Sequence, residues 1–264
     1  MDGEREPSPQ PRLDWSSPRN PHVRALRALL DRRERARRGR AVVTGLRLVE
    51  TALRLGRAEE LLVVPEAGPE VARLAQQAEE LRVPVRWVSR RVVEAVSDVK
   101  TPQPAAAVVR LPGVVPLSRL RWRWLVVADG LQDPGNLGAL VRTAHAAGFD
   151  AVAVLPNTTD PFHPRALRGS AGSCLALPLA SATPEEILQA GRVWVADPRG
   201  EVDYRRADYA PPVALVFGSE ASGARHRWPG ARTVRVPLAA GVESLNVTAA
   251  AAVLLYEARR AWTG

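Results

Sequence analysis

Cysteine is almost absent from this chain: Cys174 is the only one in 264 residues. A single thiol excludes an intramolecular disulfide and any zinc site built on cysteine. Cys174 lies in the apolar run GSCLALPL, so we expect a buried structural thiol. Long hydrophobic runs are also missing: no stretch approaches the ~18 apolar residues of a membrane helix, and the first thirty residues lack the apolar core of a signal peptide. These absences predict a soluble protein of a reducing compartment, most simply the cytoplasm.

Lysine is as scarce as cysteine, because Lys100 is the only lysine among 37 basic residues. The net charge is +9, and residues 1–40 hold 11 basic residues against 6 acidic ones. The arginine fork suits phosphate groups, and a basic arm is typical of nucleic-acid-binding proteins. Solvated arginine-rich faces explain the same charge equally well, so charge alone leaves the partner open.

The order of segments along the chain predicts two domains. Residues 1–20 are rich in Pro, Ser and charge, which indicates a disordered lead-in. Apolar residues at helical spacing then predict a helix with a basic outer face over 22–38. Strand-like and helix-like segments alternate over 21–112 and again over 121–264, across a Pro/Gly-marked linker at 113–120. The sequence therefore predicts two α/β domains with mainly parallel sheets.

The second domain is where a ligand site is expected. Its predicted strands are WLVVADG, DAVAVLP, VWVAD, VALVFGSE and TVRVPLA, and its predicted helices lie at 136–147, 183–190 and 246–262. No strand is followed by a GxGxxG loop, which counts against NAD binding and the usual Rossmann methyltransferase pattern. Open α/β sheets bind ligands beyond the carboxyl ends of their strands, so the segments after each strand are the candidates.

Three strand ends are followed by glycine-rich or polar segments: LQDPGNLGALVRTAHAAGFD, GSEASGARHRW and AAGVESLNVTAAAAVLLYE. Asp133 or Asn136 can cap the helix of the first segment, and Gly218 and Gly223 flank Glu220 in the second. Taken singly, each segment is more simply explained as a helix cap or an ordinary glycine turn. The combination of all three in this order is more specific.

The segments DPGNLGALVRTAHAAG, LVFGSEASG and VPLAAGVESLNVTAAAAVLLYE resemble the three signature motifs of the SpoU (TrmH) family of RNA ribose 2′-O-methyltransferases, in the SPOUT superfamily. Upstream, SSPRNPHVRALRALLDRRERARRGRAVVTGLRLVETAL and SDVKTPQPAAAVV resemble the small substrate-binding domain found in many members. Leu238, Ala221 and Pro104 stand where other members often have Met, Gly and Gly. None of these departures removes a polar residue of the motifs.

The resemblance implies a parallel-sheet SPOUT domain with a deep trefoil knot, preceded by a smaller α/β substrate-binding domain, in a homodimer without a metal. It implies S-adenosylmethionine (AdoMet) as the cofactor, held around Phe217, Gly218, Val236, Pro237, Leu238, Ser244, Leu245 and Asn246. The catalytic residues that it implies are Arg142, Asn136, Glu220, Ser244 and Asn246. A guanidinium stays protonated in proteins and is a poor proton acceptor, so we expect Arg142 to hold a phosphate and stabilise the developing alkoxide.

Histidines and tryptophans add no further site. The four histidines are scattered without metal-ligand spacing, and none is assigned a ligand or base role. They are His22, His145, His163 and His226. Trp122 and Trp124 alternate with arginines in RLRWRWLVV, a pattern for which strand packing is favoured over base stacking.

The predicted function is AdoMet-dependent 2′-O-methylation of a ribose in structured RNA, with ribosomal RNA ahead of tRNA. Whether the modification is a housekeeping one or protects against an antibiotic stays open. One alternative is a non-catalytic RNA-binding protein of the same fold, which the complete set of polar motif residues disfavours. Another is a different α/β enzyme with a nucleotide cofactor, which the missing glycine fingerprint disfavours.

Overall fold

The computed structural model describes residues 11–65, 67–219 and 222–263. The chain divides into two compact units, Met1–Leu111 and Pro112–Gly264, and each is described here by itself. Among the described helices, none combines the length and the apolar character that a bilayer crossing requires.

The first unit contains a four-stranded sheet with helices packed on it. Its elements are α1 (Pro21–Arg27), α2 (Arg32–Arg38), β1 (Arg40–Thr44), α3 (Leu46–Arg54), β2 (Ala58–Val63), α4 (Pro69–Glu80), β3 (Val85–Trp87), α5 (Arg90–Ala95) and β4 (Ala105–Arg110). The strand order is β1-β4-β2-β3. Strand β4 is antiparallel to both neighbours, and only β2 and β3 are parallel. The prediction of mainly parallel pairing is therefore wrong for this sheet.

The direction of β4 follows from the shortness of α5. This helix has six residues, which is about 9 Å at 1.5 Å per residue. A helix of that length does not carry the chain back to the amino ends of the strands. Strand β4 therefore begins at the carboxyl end of β2, where Ala105 pairs with Val63. Gln103 fixes the preceding loop, because its Oε1 accepts a hydrogen bond of 2.9 Å from the backbone N–H of Leu46.

The arginine-rich segment at 22–38 is broken rather than continuous. A 3-10 turn at Ala28–Leu30 separates α1 from α2, and Asp31 caps α2 by accepting hydrogen bonds from the backbone of its first turn. Arg35 points inward and donates to the carbonyls of Leu29 and Leu30, at 3.0 and 2.7 Å. The other arginines of α1 and α2 are exposed, so the predicted basic outer face is present.

The predicted lead-in is partly ordered. Residues 1–10 lie outside the described residues, whereas the backbone of Asp14 and Trp15 pairs with the end of β3. Trp15 packs against the hydrophobic core of the unit, including Val23 and Val88. One large aromatic in a polar segment thus brings residues 14–16 onto the sheet.

The second unit contains an eight-stranded sheet in the order β10-β12-β9-β11-β6-β7-β8-β5. Every pairing in it is parallel. Its strands are β5 (Val115–Pro116), β6 (Trp124–Asp129), β7 (Ala151–Val154), β8 (Leu179–Ser181), β9 (Arg192–Ala196), β10 (Val202–Asp203), β11 (Val213–Gly218) and β12 (Arg232–Arg235). Its helices are α6 (Pro134–Ala146), α7 (Pro164–Gly169), α8 (Ser173–Ala176), α9 (Pro184–Ala190) and α10 (Val247–Thr263), with 3-10 turns at Leu117–Arg119 and Tyr204–Arg206.

The five strands and three helices predicted for this unit are confirmed, as β6, β7, β9, β11 and β12 and as α6, α9 and α10. The predicted linker differs, because β5 lies inside 113–120 and pairs with β8. Trp124 is buried in the sheet, as strand packing predicts. Cys174 is buried, and its desolvation raises the pKa of the thiol to about 12, as expected for a structural cysteine.

Candidate functional site

A cavity opens at the carboxyl ends of three neighbouring strands, β9, β11 and β12. It is lined by Ala196, Asp197, Pro198, Phe217, Gly218, Ser219, Gly223, Val234, Val236, Leu238, Ser244, Leu245, Val247, Ala250 and Leu254. The wall is mostly apolar, and its polar groups are a carboxylate, two hydroxyls and strand-end backbone. Parallel strands bring these segments together because their carboxyl ends lie at one edge of the sheet.

The end of β11 turns sharply to form one side of this cavity. Ser219 and Gly223 exchange two backbone hydrogen bonds of 2.9 Å, which closes a tight hairpin. Gly218 must be glycine for this turn, because a Cβ there would lie 2.0 Å from the carbonyl carbon of Gly223. Glu220, a predicted catalytic residue, and its neighbour Ala221 lie outside the described residues.

The segment between β12 and α10 forms another side. Val236, Leu238, Ser244 and Leu245 line the cavity, and their role in cofactor binding remains a prediction. Residues 241–246 are exposed along their whole length. The side chain of Asn246 caps α10, since its Oδ1 accepts a hydrogen bond of 2.9 Å from the backbone of Thr248. Pro237 and Asn246 are not among the described residues that line the cavity.

The other two predicted catalytic residues lie on α6. Asp133 rather than Asn136 caps this helix, because its Oδ1 accepts a 2.9 Å hydrogen bond from the backbone N–H of Asn136. That bond lowers the pKa of the Asp133 carboxyl. Arg142 is exposed, and neither it nor Asn136 is among the described residues that line the cavity. One chain thus brings together most of the predicted cofactor-binding residues but does not place Arg142 beside them.

Helix α6 is held in place by close packing. A Cβ on Gly138 would lie 2.3 Å from the carbonyl oxygen of Ala166 in α7, so the two helices touch through backbone. On another side, Arg259 of α10 donates a 3.0 Å hydrogen bond to the carbonyl of Ala146, the last residue of α6. The position of Arg142 is therefore set by a rigid helix rather than by a loop.

Sequence reasoning missed Asp197 and Pro198, which follow β9 and line the cavity. Asp197 is half-buried, and its Oδ1 accepts a 2.7 Å hydrogen bond from the backbone of Arg199. The available signal was the position of this acid at the end of VWVAD, the same strand-end rule that located the other segments.

A buried carboxylate at the end of β6 was also missed. Asp129 is fully buried, and it accepts hydrogen bonds from the backbone N–H and the ring Nδ1 of His226, at 3.0 and 2.6 Å, and from the indole N–H of Trp228, at 3.0 Å. Asp129 also pairs with Gly218 in the sheet. These bonds fasten the chain that leaves the β11 hairpin, and they account for His226 without a metal or base role. Within the described ranges, no cluster of three His, Cys, Asp or Glu side chains could hold a metal ion.

Two family models cover the two units. The model described as the SpoU rRNA Methylase family matches residues 123–256. The model described as the MRM3-like substrate binding domain matches residues 20–107. The first match contains helix α6, the hairpin after β11 and the loop before α10.

Known proteins resemble almost the whole chain. The 23S rRNA (guanosine(2553)-2′-O)-methyltransferase RlmP of Bacillus subtilis is 32% identical over 251 residues, covering 92% of this chain and 98% of its own. The AdoMet-bound rRNA methyltransferase from Sinorhizobium meliloti has a TM-score of 0.78 at 31% identity, covering 94% of this chain and 98% of that one. The SpoU methyltransferase AviRb from Streptomyces viridochromogenes, in complex with AdoMet, has a TM-score of 0.80 at 28% identity, covering 93% and 99%. The family model and these relatives together show that this chain belongs to the SpoU rRNA methylase family.

Proposed function

We propose that this protein transfers a methyl group from AdoMet to the 2′-hydroxyl of a ribose in ribosomal RNA. The observation that carries the proposal is the cavity at the ends of β9, β11 and β12, which is built from the motif segments of an rRNA methylase family. Relatives of nearly the same length are named as 23S rRNA 2′-O-methyltransferases. The proposed compartment is the cytoplasm, which holds the ribosomal RNA of the bacteria from which these relatives come.

The cavity has the chemistry that AdoMet needs. Phe217, Val236 and Leu238 offer an apolar surface for an adenine ring, and strand-end backbone groups offer hydrogen bonds to its edge. Asp197 supplies a carboxylate, which suits ribose hydroxyls as acidic residues do in other nucleotide sites. Ser244 adds a hydroxyl at the exposed side. Bound there, AdoMet supplies an electrophilic methyl group.

The protein's part in the reaction is to position the ribose and stabilise charge. Holding the ribose hydroxyl in line with the methyl donor can lower the barrier by several kcal/mol, up to roughly 7–11 kcal/mol in well-oriented cases. As the ribose oxygen would bond the methyl carbon, the donor sulfur would leave as a neutral thioether and the hydroxyl proton would pass to solvent. Arg142 is a cation suited to the phosphate next to that ribose and to the negative charge that develops on its oxygen. Asn136, Glu220, Ser244 and Asn246 complete the predicted set that fixes the geometry.

The active form is proposed to be a homodimer in which Arg142 of one chain completes the cavity of the other. Three exposed large apolar side chains, on α10 and on the segment before it, support a surface that a second chain covers: Val242 is 50% exposed, Leu245 38% and Tyr256 51%. The alanines at the start of α10 allow a second chain to approach closely. A shared site would also explain why Arg142 and Asn246 belong to the same predicted set without lying on one cavity wall.

The first unit is proposed to bind the RNA through the exposed arginines of α1 and α2. Arg24, Arg27, Arg32 and Arg33 are all exposed. The unit matches a substrate-binding domain, and arginine contacts with phosphate provide the non-specific part of RNA affinity. Phosphate contacts position an RNA without reading its sequence, so they do not identify the target nucleotide.

The proposed function predicts that the protein transfers a tritium-labelled methyl group from AdoMet to unmodified 23S rRNA. Mapping of 2′-O-methyl groups in the product should find one methylated ribose. EDTA is expected to change neither AdoMet binding nor the rate, because none of the proposed steps uses a metal. Unmodified tRNA is the control substrate. Methylation of tRNA alone would shift the substrate to tRNA, and AdoMet binding without transfer to either RNA would leave a non-catalytic RNA-binding protein.

Changing Arg24, Arg27, Arg32 and Arg33 together to glutamine should weaken RNA binding and flatten its salt dependence. Each lost phosphate contact reduces the slope of log affinity against log salt by about one. AdoMet affinity, measured by calorimetry, should stay as in the wild type. Substitution is preferable to deleting residues 1–40, because that deletion would remove the buried Val23 and Leu29 from the core.

The matched control changes four other exposed arginines of the first unit to glutamine: Arg47, Arg54, Arg82 and Arg110. It removes the same total charge from other positions. Equal loss of slope in the two variants would show that only net charge matters, and the face formed by α1 and α2 would lose its proposed role.

A further inference from the structure

Residues 14–16 are clamped to the first unit by a specific set of bonds. Asp14 donates its backbone N–H to the carbonyl of Trp87, and its Oδ2 accepts the backbone N–H of Trp87, both at 2.8 Å. Ser89 donates its backbone N–H to the carbonyl of Trp15 at 3.0 Å and its hydroxyl to the carbonyl of Ser16 at 2.8 Å. The indole of Trp15 is therefore held at a fixed place on the surface.

Trp15 presents a stacked aromatic pair. Its ring lies nearly parallel to the imidazole of His22, with an interplanar angle of 6° and centroids 5.6 Å apart. Trp15 is half-buried against the core, whereas His22 is exposed. The backbone of His22 is fixed as well, because its N–H donates to Oδ1 of Asn20 at 2.8 Å. A flat ring with a rigid support is thus exposed at the start of α1.

One arginine lies over the Trp15 ring, and others are exposed on α1 and α5. The Arg86 guanidinium carbon lies 5.8 Å from the Trp15 ring centroid, and Arg86 is held by Glu60 at 2.9 Å. Helices α1 and α5 pack together, and their exposed arginines include Arg24, Arg27, Arg90 and Arg91. Among the described residues, no carboxylate pairs with these four guanidinium groups. They are available to phosphate.

We infer that the Trp15–His22 pair is a stacking site for an unpaired nucleobase of the RNA substrate. This inference rests on the proposed function, since it requires an RNA ligand. Proteins recognise unpaired RNA bases by stacking them on aromatic rings while arginines hold the adjoining phosphates. A purely structural aromatic pair would need neither the exposed His22 ring nor the exposed arginines of α1 and α5. The stacking site would add a contact to a base, whereas the exposed arginines of α1 and α5 would contact only phosphates.

The test compares His22→Ala with His22→Phe, using unmodified 23S rRNA as the probe. His22→Ala should weaken RNA binding about 5- to 150-fold, the range found when a stacking ring is removed. His22→Phe keeps the flat ring and should bind within about threefold of the wild type. AdoMet affinity and thermal stability should be unchanged in both.

Photocrosslinking gives an independent readout. Ribosomal RNA containing 5-iodouridine or an equivalent photoreactive base should crosslink to the peptide that carries Trp15 or His22. Wild-type affinity in His22→Ala, or equal losses in His22→Ala and His22→Phe, would overturn the stacking site while methyl transfer continued. Failure of the wild-type protein to bind any RNA would overturn the proposed function and this site together.

Discussion

Equal amounts of the Arg142→Ala and Asn246→Ala variants, unfolded together and refolded, are expected to recover about a quarter of wild-type activity. Each variant alone should be nearly inactive. Random pairing makes half of the dimers mixed, and in each mixed dimer one of the two sites receives an intact Arg142 from one chain and an intact Asn246 from the other. The measurement is methyl transfer per total protein, with native mass spectrometry to confirm that chains have exchanged.

A second mixture sharpens this test. The double variant with both substitutions is refolded with an equal amount of wild type. If the site is shared, every mixed dimer is inactive and about a quarter of the activity remains; if each chain holds its own site, about half remains. The shared site would be refuted if the mixture of the two single variants were inactive while the mixture of double variant and wild type kept half of the wild-type activity.

Gly218→Ala is expected to abolish AdoMet binding and to destabilise the second unit. The added methyl would lie 2.0 Å from the carbonyl carbon of Gly223 and 2.1 Å from the backbone nitrogen of Ala224, and backbone atoms cannot move aside as a side chain can. The hairpin must open, at a cost of ~3 kcal/mol or more. The midpoint of thermal unfolding should fall by roughly 6–12 °C, and calorimetry should detect no AdoMet binding.

Gly230→Ala is the matched control. Gly230 has a φ of 78°, but an added Cβ there meets nothing within 4 Å, and the residue is outside the cavity lining. The left-handed conformation alone costs alanine about 1–2 kcal/mol. This variant should bind AdoMet normally. Wild-type AdoMet affinity in Gly218→Ala would mean that the hairpin does not shape the cofactor site.

The sequence predicted the parts of the site that follow long, strongly apolar strands. WLVVADG and VALVFGSE are such strands, and the segments after them lie at one edge of the sheet as expected. Motif resemblance added Val236, Leu238, Ser244 and Leu245, which no periodicity could have selected. These four residues line the cavity, while their binding of the cofactor and the catalytic roles of Arg142 and Asn246 remain predictions.

The parts that were missed depend on contacts between distant segments. Asp129 meets His226 and Trp228 only because β6 and β11 are neighbours in the sheet. The antiparallel direction of β4 depends on how far α5 carries the chain, which alternation of segments does not reveal. Strand β8 has three residues, too few for a recognisable pattern. The Pro, Ser and charged residues of the first segment predicted disorder, although Trp15 packs on the core and orders residues 14–16.

The strand order of the second unit has a consequence for its biosynthesis. Strand β6 pairs with β11, where Leu125 lies opposite Ala214. During synthesis this side of β6 therefore stays unpaired until β11 has been translated. α6 is likewise covered by α10, the last helix of the chain. Sheets assembled from such remote partners fold slowly, and their unpaired edges attract other chains in the meantime. While the ribosome is still translating, this unit is therefore expected to depend on chaperones, whereas the first unit can complete its own sheet as soon as β4 has emerged.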